Sequence, residues 1–212
     1  YNFEFGTSVG QSGMLDYITN CKNVNIHAIA FQARPMGDAM YPSSLSPAVP
    51  WSQYVSGKRG SNPGWDPLAY FVTQCHNLGM EAHVWINPYR MPVKSTWGVT
   101  TTYDTWATNN GWILEYMIKD NQNTFRILNP GIPEVRQHIA DYIAEIVEKY
   151  DIDGVMFDDY FYAQWLDEYD NIDATQYSKY GSGMTLADWR RDNVNKTVKL
   201  VYDRIKSIKP YV

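Results

Sequence analysis

The sequence predicts an α/β fold in which the chain forms part of a (β/α)8 TIM barrel. Short apolar runs alternate with amphipathic helical segments, which is the pattern of a parallel sheet built from βα units. Long irregular segments follow the predicted strands, whereas the connections from helix back to strand are short. Barrels carry their active sites on the loops at the carboxyl ends of the strands, so this asymmetry favours a barrel over an open sheet.

The length of the chain limits how much of a barrel it can form. A closed barrel usually needs about 250 residues. This chain has 212 residues and yields three predicted strands, and its length fits one domain. We therefore expect residues 1–212 to form a single catalytic-type barrel domain that is truncated at both ends.

The first half of the chain predicts two strands, each preceded by a helix. Asp66 and Pro67 open the second helix as its N-cap and first helical residue, and Gly79 closes it. The elements follow one another as helix 14–23, strand 25–31, helix 66–79 and strand 81–87.

The second half predicts a hairpin, two helices and a third strand. Two segments, 112–118 and 124–128, flank a polar stretch and predict a β-hairpin inserted after the second strand. A helix starts at Pro133, and the nearly continuous apolar run 152–158 is typical of a strand covered on both faces. After an aromatic and acidic loop, residues 185–188 form a capping box for the last helix.

Composition and charge exclude several classes of protein. The chain has 18 Lys and Arg against 23 Asp and Glu, a net charge of −5, and no basic run. Electrostatic binding to nucleic acid or to an anionic membrane is therefore not expected. No stretch approaches the roughly 20 apolar residues that cross a bilayer. The 2 cysteines, Cys21 and Cys75, cannot form a disulfide framework or a four-ligand zinc site, and we interpret them as buried free thiols rather than a disulfide.

Aromatic residues are abundant outside the predicted core. The 8 Trp, 17 Tyr and 7 Phe make up 15% of the chain, and many lie in segments rich in Gly, Pro and Ser. Flat rings with a polar edge suit the faces of sugars, although a loop layer that packs on itself has the same composition.

The strongest candidates for chemistry are two adjacent carboxylates, Asp158 and Asp159, at the end of the third predicted strand. Because successive side chains of a strand point in opposite directions, only one of the two can face the barrel axis. A carboxylate in that position can attack an anomeric carbon or stabilise an oxocarbenium-like transition state. The alternative is that an Asp at a strand end caps a turn or the next helix.

Polar residues also follow the first two strands. Arg34 and Asp38 come after the first strand and either bind substrate hydroxyls or carboxylates or pair with each other to fix a long loop. Asn87 ends the second strand, and alternation places His83 and Trp85 on the same side as Asn87. His83 is interpreted as a hydrogen-bonded core residue, with a ligand role as the alternative.

Five motifs in order resemble the glycosyl-hydrolase-like family ten of bacterial cell-envelope lipoproteins. They are residues 31–43, 81–90, 129–136, 153–162 and 189–195. The resemblance implies a TIM barrel distantly related to the α-amylases, in which the three strands here are the second, third and fourth. It puts Asp158 in the place of the nucleophile. The second carboxyl group is Asp159, Asp38 or a group beyond residue 212. The resemblance favours the last, on a later strand, so the chain alone is expected to be inactive. It also implies an extracytoplasmic location, secreted, periplasmic or lipid-anchored at the envelope.

The resulting hypothesis is a glycoside hydrolase that cleaves a bacterial envelope or dietary glycan, with peptidoglycan as the first substrate suggested by the family. Asp158 acts as nucleophile or transition-state stabiliser, and Asp159 orients it or binds substrate. No cofactor or metal is implied, and the oligomeric state is left open. The residues expected to contact the sugar are Arg34, Asp38, Tyr41, Asn87, Tyr89, Arg90, Tyr160, Tyr162 and Arg191, with Trp51 as a further stacking candidate.

Two alternatives remain open at this point. One is a non-catalytic carbohydrate-binding module that keeps the barrel groove. The other is a metal-dependent hydrolase using Asp158, Asp159 and His83. The second is weaker because the 4 His residues are scattered along the chain and show no metal-ligand spacing.

Overall fold

The computed structural model describes residues 10–92, 100–117, 124–159, 161–162 and 171–212. Within these ranges the chain is an α/β structure, as predicted. The elements are α1 (Gly10–Asn23), β1 (Ala28–Arg34), α2 (Gln53–Ser56), α3 (Pro67–Asn77), β2 (Glu81–Ile86), β3 (Arg90–Met91), α4 (Thr102–Asn109), β4 (Ile113–Met117), β5 (Thr124–Leu128), α5 (Pro133–Lys149), β6 (Gly154–Phe157), α6 (Ala174–Tyr180) and α7 (Leu186–Ile208).

The three predicted strands form one parallel sheet in the order β1-β2-β6. β1 pairs with β2 from Ala28 opposite Glu81, and β2 pairs with β6 up to Ile86 opposite Phe157. All three strands therefore end at the same edge of the sheet, and the segments that follow them start together there.

The strand boundaries differ from the prediction by one to three residues: β1 ends at Arg34 rather than at Phe31, β2 ends at Ile86 rather than at Asn87, and β6 ends at Phe157 rather than at Asp158. β1 begins at Ala28 rather than at Asn25, which has a positive φ of 62° just after α1. β6 begins at Gly154 rather than at Ile152, and just before it Asp153 bonds to Ala82 of β2: its carboxylate accepts from the Ala82 amide (2.7 Å) and its amide donates to the Ala82 carbonyl (2.9 Å).

The hydrophobic core lies between one face of the sheet and the helices. It combines residues of β2 such as Val84 and Ile86 with the stripes of α1, α3, α5 and α7. The opposite face is partly exposed within the described residues, and Met156 of β6 is 41% exposed. The expectation that the third strand is covered on both faces is therefore wrong for this part of the chain, since no described element packs on the second face.

The predicted hairpin after β2 is present. β4 and β5 pair antiparallel, from Ile113 opposite Leu128 to Met117 opposite Thr124, and the turn at 118–123 lies outside the described residues. A short strand that the sequence did not reveal, β3, pairs with β5. The amide of Leu128 donates to the carbonyl of Tyr89 (2.7 Å), which ties the hairpin to the segment after β2.

The predicted helix caps are confirmed. Asp66 accepts a hydrogen bond from the amide of Ala69 (3.0 Å) at the start of α3, and Thr185 accepts one from Asp188 (3.1 Å) at the start of α7. Cys21 and Cys75 are buried free thiols. In the described part of the chain, no helix has the length and apolar character needed to cross a membrane.

We expect Gly154→Ala to destabilise the protein, because a Cβ at this position would overlap the ring of His83 on the neighbouring strand. Overpacking of this kind costs about 1–3 kcal/mol. Chemical denaturation of the purified variant measures the change. The double variant His83→Ala/Gly154→Ala removes the overlapping ring and should recover most of the lost stability. A single Gly154→Ala variant as stable as the wild type would contradict this packing.

A second expected result concerns pH and His138 of α5. Burial lowers the pKa of His138 to about 3, and its Nε2 pairs with the hydroxyl of Tyr103 (2.7 Å). In the unfolded chain the pKa is about 6.5, so the unfolded state binds a proton first as the pH falls. Stability is therefore lost progressively below about pH 6.5.

The measurement is the free energy of unfolding at about pH 7 and about pH 4.5. Between these values the wild type should lose about 2–3 kcal/mol more than His138→Gln, which has no titrating ring. Equal losses in the two proteins would show that His138 is protonated in the folded state.

Candidate active site

The candidate site lies at the carboxyl end of the parallel sheet, on the face turned away from the core. Register places Gln32 opposite Trp85, and Trp85 opposite Met156. Because side chains alternate along strands, these three lie on one face, and Asn87 and Asp158 come next in the same phase. The sheet thus brings together polar side chains from the ends of all three strands.

One oxygen of the Asp158 carboxylate accepts three hydrogen bonds. Its Oδ1 receives the indole N–H of Trp85 (2.7 Å), the amide Nδ2 of Asn87 (2.8 Å) and the backbone N–H of Asp159 (2.7 Å). Oδ2 receives none from the residues that the structure describes, and the side chain is exposed. The carboxylate is therefore fixed by one oxygen and offers the other outward.

Asn87 is held in turn by Gln32. The Gln32 Nε2 donates to Asn87 Oδ1 (2.6 Å), so the Asn87 amide must turn its N–H₂ group toward Asp158. Asn87 is buried. Gln32 was not among the predicted site residues, although its alternation with Ala28 and Ala30 assigns it to the face that Trp85 also occupies.

Asp159 lies beside Asp158 and is exposed. Its backbone N–H is one of the three donors to Asp158. The two adjacent carboxylates therefore have different environments. Asp158 accepts hydrogen bonds from the side chains of Trp85 in β2 and of Asn87 just after β2. Asp159 contributes its backbone N–H to Asp158.

Two residues predicted to bind substrate, Arg34 at the end of β1 and Tyr41 in the segment after it, are buried inside the protein instead. The Arg34 guanidinium lies 4.0 Å from the centre of the Tyr142 ring of α5. Tyr41 donates to Glu145 Oε2 (3.1 Å), also on α5. Arg34 is 3% exposed and Tyr41 1%. Their assignment as sugar ligands is thus corrected: they fasten the long segment after β1 to α5.

Asp38 is likewise sealed within the protein, at 3% exposed. It accepts the amide of Met36 (2.9 Å), and the charged partner beside it is Arg59, with Nε 3.9 Å from Asp38 Oδ2. Burial raises the pKa of Asp38 to about 6, against the opposing effect of Arg59. The assignment of Asp38 as a substrate ligand is corrected to that of a loop-fixing residue, and its ion-pair partner is Arg59 rather than Arg34.

Tyr89 is fully buried, and the expectation that it contacts sugar is corrected in the same way. Its hydroxyl donates to Thr197 Oγ1 of α7 (2.7 Å), and burial raises the pKa of Tyr89 to about 12. Arg90, which directly follows Tyr89 and was also predicted to contact the sugar, is half-buried in β3 opposite Ile127. This pair of positions joins the end of β2 to α7 and to the hairpin.

Two further predicted ligands, Tyr162 and Arg191, lie on or near α7. Tyr162 is half-buried and accepts a hydrogen bond from Asn193 Nδ2 (3.2 Å), and burial raises its pKa. Arg191 is exposed and pairs with Asp188 of its own helix, so the fold does not bring it to Asp158. Trp51 is half-buried next to an isolated bridge with Ala39. Tyr160 lies outside the described residues.

His83 occupies the same face of β2, below Trp85. Its Nε2 lies 2.9 Å from Glu81 Oε2, and its ring covers Gly154. Within the described residues no cluster of three or more His, Cys, Asp or Glu side chains has the arrangement of a metal site. His83 thus pairs with Glu81 in the described structure.

This chain is similar to curated proteins that are named glycosyl hydrolases. It is 37% identical over 214 residues to the glycosyl hydrolase DigH of Escherichia coli K12, covering 96% of this chain and 46% of that protein. It is 38% identical over 198 residues to the glycosyl hydrolase YngK of Bacillus subtilis strain 168, covering 92% of this chain and 37% of that one. The chain thus spans less than half the length of these relatives.

A solved structure shares the fold. Alpha-L-fucosidase isoenzyme 2 from Paenibacillus thiaminolyticus superposes with a TM-score of 0.57 at 15% identity, over 93% of this chain and 28% of that one. This likeness concerns the fold alone: the neighbour is a glycoside hydrolase with a TIM-barrel type fold, and this chain shares with it an α/β architecture with a parallel sheet. The family model described as glycosyl hydrolase-like 10 matches residues 8–212, in agreement with the motifs read from the sequence, and the chain therefore belongs to that family.

Proposed function

We propose that this chain carries the carboxylate side of a glycoside hydrolase active site, with Asp158 acting at the anomeric carbon. The observation that supports this most directly is the asymmetry of the Asp158 carboxylate, with three donors on Oδ1 and none from the described residues on Oδ2. A group held by one oxygen and open at the other is oriented for attack or for charge stabilisation.

In the proposed reaction, Asp158 Oδ2 approaches the anomeric carbon as the bond to the leaving oxygen breaks. Either it forms a glycosyl ester that water then hydrolyses, or it stabilises the oxocarbenium-like transition state. The donors Trp85 and Asn87 hold the carboxylate in place throughout. Membership of the family and the fold of glycosidases support this chemistry.

The leaving oxygen must also receive a proton from a second acidic group. Asp38 is unsuited to this role because its carboxyl group is sealed within the protein. Following the resemblance to α-amylases, we assign the proton donor to a later strand of a barrel in which β1, β2 and β6 are the second, third and fourth strands. The separation of the two carboxyl groups then decides the outcome, about 5–5.5 Å for retention and about 6.5–9.5 Å for inversion.

We propose a glycan with amino-sugar units, such as peptidoglycan, as the substrate and an extracytoplasmic location for the protein. The family association with envelope glycans supports both. Around Asp158, the partly exposed indole of Trp85 and the exposed Met156 offer apolar surface, and Gln32 and Asp159 offer polar groups. This combination suits a sugar ring, which has an apolar face and a polar rim.

The test is to incubate the full-length protein with a panel of purified glycans, among them peptidoglycan glycan strands, chito-oligosaccharides and plant polysaccharides. New reducing ends and product masses report cleavage. We expect cleavage of an amino-sugar glycan. If saturable binding occurs with no cleavage of any glycan, the protein is a sugar-binding module rather than a hydrolase.

A further inference from the structure

A second concave site lies between the start of α5 and the short helix α6. This cavity, the α6 cleft, has a volume of about 480 Å³, which is within the range of ligand pockets. Six of the residues that line it are Trp112, Ile132, Glu134, Gln176, Lys179 and Tyr180.

The cleft lies at the same end of the fold as Asp158. One wall belongs to the segment that connects β2 to α5, and the other belongs to the segment that connects β6 to α7. Both segments start at the carboxyl edge of the sheet, where Asp158 follows β6. The backbone N–H of Asn129 donates to the carbonyl of Trp112 (2.7 Å), which anchors the first wall to the start of α5.

The aromatic side chains of the cleft are suited to sugar contact. Trp112 and Tyr180 are both partly exposed. The Lys179 ammonium lies over one face of the Tyr180 ring, 4.8 Å from its centre, so the other face and the edge of that ring are what it offers to a sugar. The Trp112 ring is held from behind by Trp106, with ring centres 4.5 Å apart, and by His138 at 5.6 Å. A ring fixed in this way offers a rigid apolar surface at little entropic cost.

The polar side chains of the cleft supply hydrogen bonds of both kinds. Gln176 offers a donor and an acceptor, Glu134 offers acceptors, and Lys179 offers donors. One carboxylate and one ammonium group leave these side chains without net charge. Neutral sugar units with hydroxyl and acetamido groups match this set, whereas a phosphate-rich ligand does not.

We infer that the α6 cleft is a second saccharide-contact site, which holds a sugar unit of the same glycan some distance from the bond at Asp158. This inference rests on the proposed function for the identity of the ligand. With this second contact, the protein recognises a longer stretch of the glycan than the sugar units at Asp158 alone.

The experiment measures the affinity of the full-length protein for a long chito-oligosaccharide, in an Asp158→Asn background so that cleavage does not interfere. Tyr180→Ala and Gln176→Ala should each weaken binding by about threefold to tenfold. Tyr180→Phe keeps the ring and should bind close to the background protein. The matched control is Tyr202→Ala, which removes a tyrosine that is 59% exposed on α7 and does not line the cleft.

Three results would overturn the inference: no saturable binding of the oligosaccharide, equal affinities for Tyr180→Ala and Tyr202→Ala, or the same loss in Tyr180→Phe as in Tyr180→Ala. Its failure is distinguishable from that of the proposed hydrolysis. If Tyr180→Ala binds more weakly but the wild type cleaves no glycan, the α6 cleft is a saccharide site and the proposed hydrolase activity is wrong. If the wild type cleaves the glycan but Tyr180→Ala binds as tightly as the background protein, the hydrolase activity is confirmed and the saccharide site in the α6 cleft is wrong.

Discussion

Asp158→Asn in the full-length protein is expected to lower the rate of glycan cleavage by on the order of a thousandfold or more, as loss of a group that acts directly on the reacting carbon commonly does. The asparagine has nearly the same shape. Its Oδ1 can still accept from Trp85, Asn87 and the amide of Asp159, so the local hydrogen bonds survive. What disappears is the negative charge and the outward-facing oxygen. Release of reducing ends at saturating glycan measures the loss, and glycan affinity measured in parallel should stay close to that of the wild type.

Asp159→Asn is the matched control for this prediction. It makes the same chemical change one residue away and leaves the backbone N–H that supports Asp158 in place. A much smaller loss of rate is expected. If Asp158→Asn cleaves within a fewfold of the wild type, Asp158 has no part in the mechanism. If Asp159→Asn is the more damaging of the two, the roles of the two carboxylates are exchanged.

The order of strands and helices was predictable because it depends on local signals. Apolar runs and cap residues such as Asp66 and Thr185 act within a few positions, and they located the three parallel strands, the hairpin and the long helices. The ends of β1 and β6 were less predictable. Asn25 takes a positive φ in the turn after α1, and Asp153 bonds to Ala82 of β2, a partner distant along the chain.

The environment of the polar residues could not be predicted in the same way. Arg34 is the last residue of β1 and Asp158 follows β6, and in the sequence both suit a sugar site. What separates them is distant along the chain: the ring of Tyr142 covers the Arg34 guanidinium, whereas Asp158 meets Trp85 and Asn87 at an open edge. Arg59, which lies beside Asp38, also comes from a segment that no periodic pattern describes.

The buried residues Arg34 and Asp38 also matter for the site, although neither contacts a substrate. A buried guanidinium and a buried carboxyl group are costly unless each is bonded. Arg34 has Tyr41 and Tyr142, and Asp38 has the Met36 amide and Arg59. Arg34 and Tyr41 hold the end of β1 and the segment after it against α5, and Asp38 and Arg59 tie that segment to itself. The chain of hydrogen bonds to Asp158 starts at Gln32, two residues before Arg34.

A second large loss of activity is expected when the Asn87 amide, which orients Asp158, is removed. Asn87→Ala removes one of the three donors to Asp158 and is expected to lower kcat by about a hundredfold, the usual cost of losing one donor that orients or stabilises a reacting group. KM should change little, because Asn87 is buried and acts through Asp158. Steady-state kinetics on the same glycan separate kcat from KM. A rise in KM alone would identify Asn87 as a substrate ligand instead.

The decisive comparison is made at Gln32, which does not touch Asp158. Gln32 donates to Asn87 Oδ1, so Gln32→Glu replaces that donor by an acceptor of the same shape. The Asn87 amide must then turn over, which points its oxygen at Asp158 Oδ1, whereas Gln32→Leu merely removes the restraint. We therefore expect Gln32→Glu to lose more kcat than Gln32→Leu, even though it is the smaller chemical change. Unfolding measurements on both variants control for stability. If both keep the wild-type kcat while remaining folded, the hydrogen bond between Gln32 and Asn87 does not position the carboxylate.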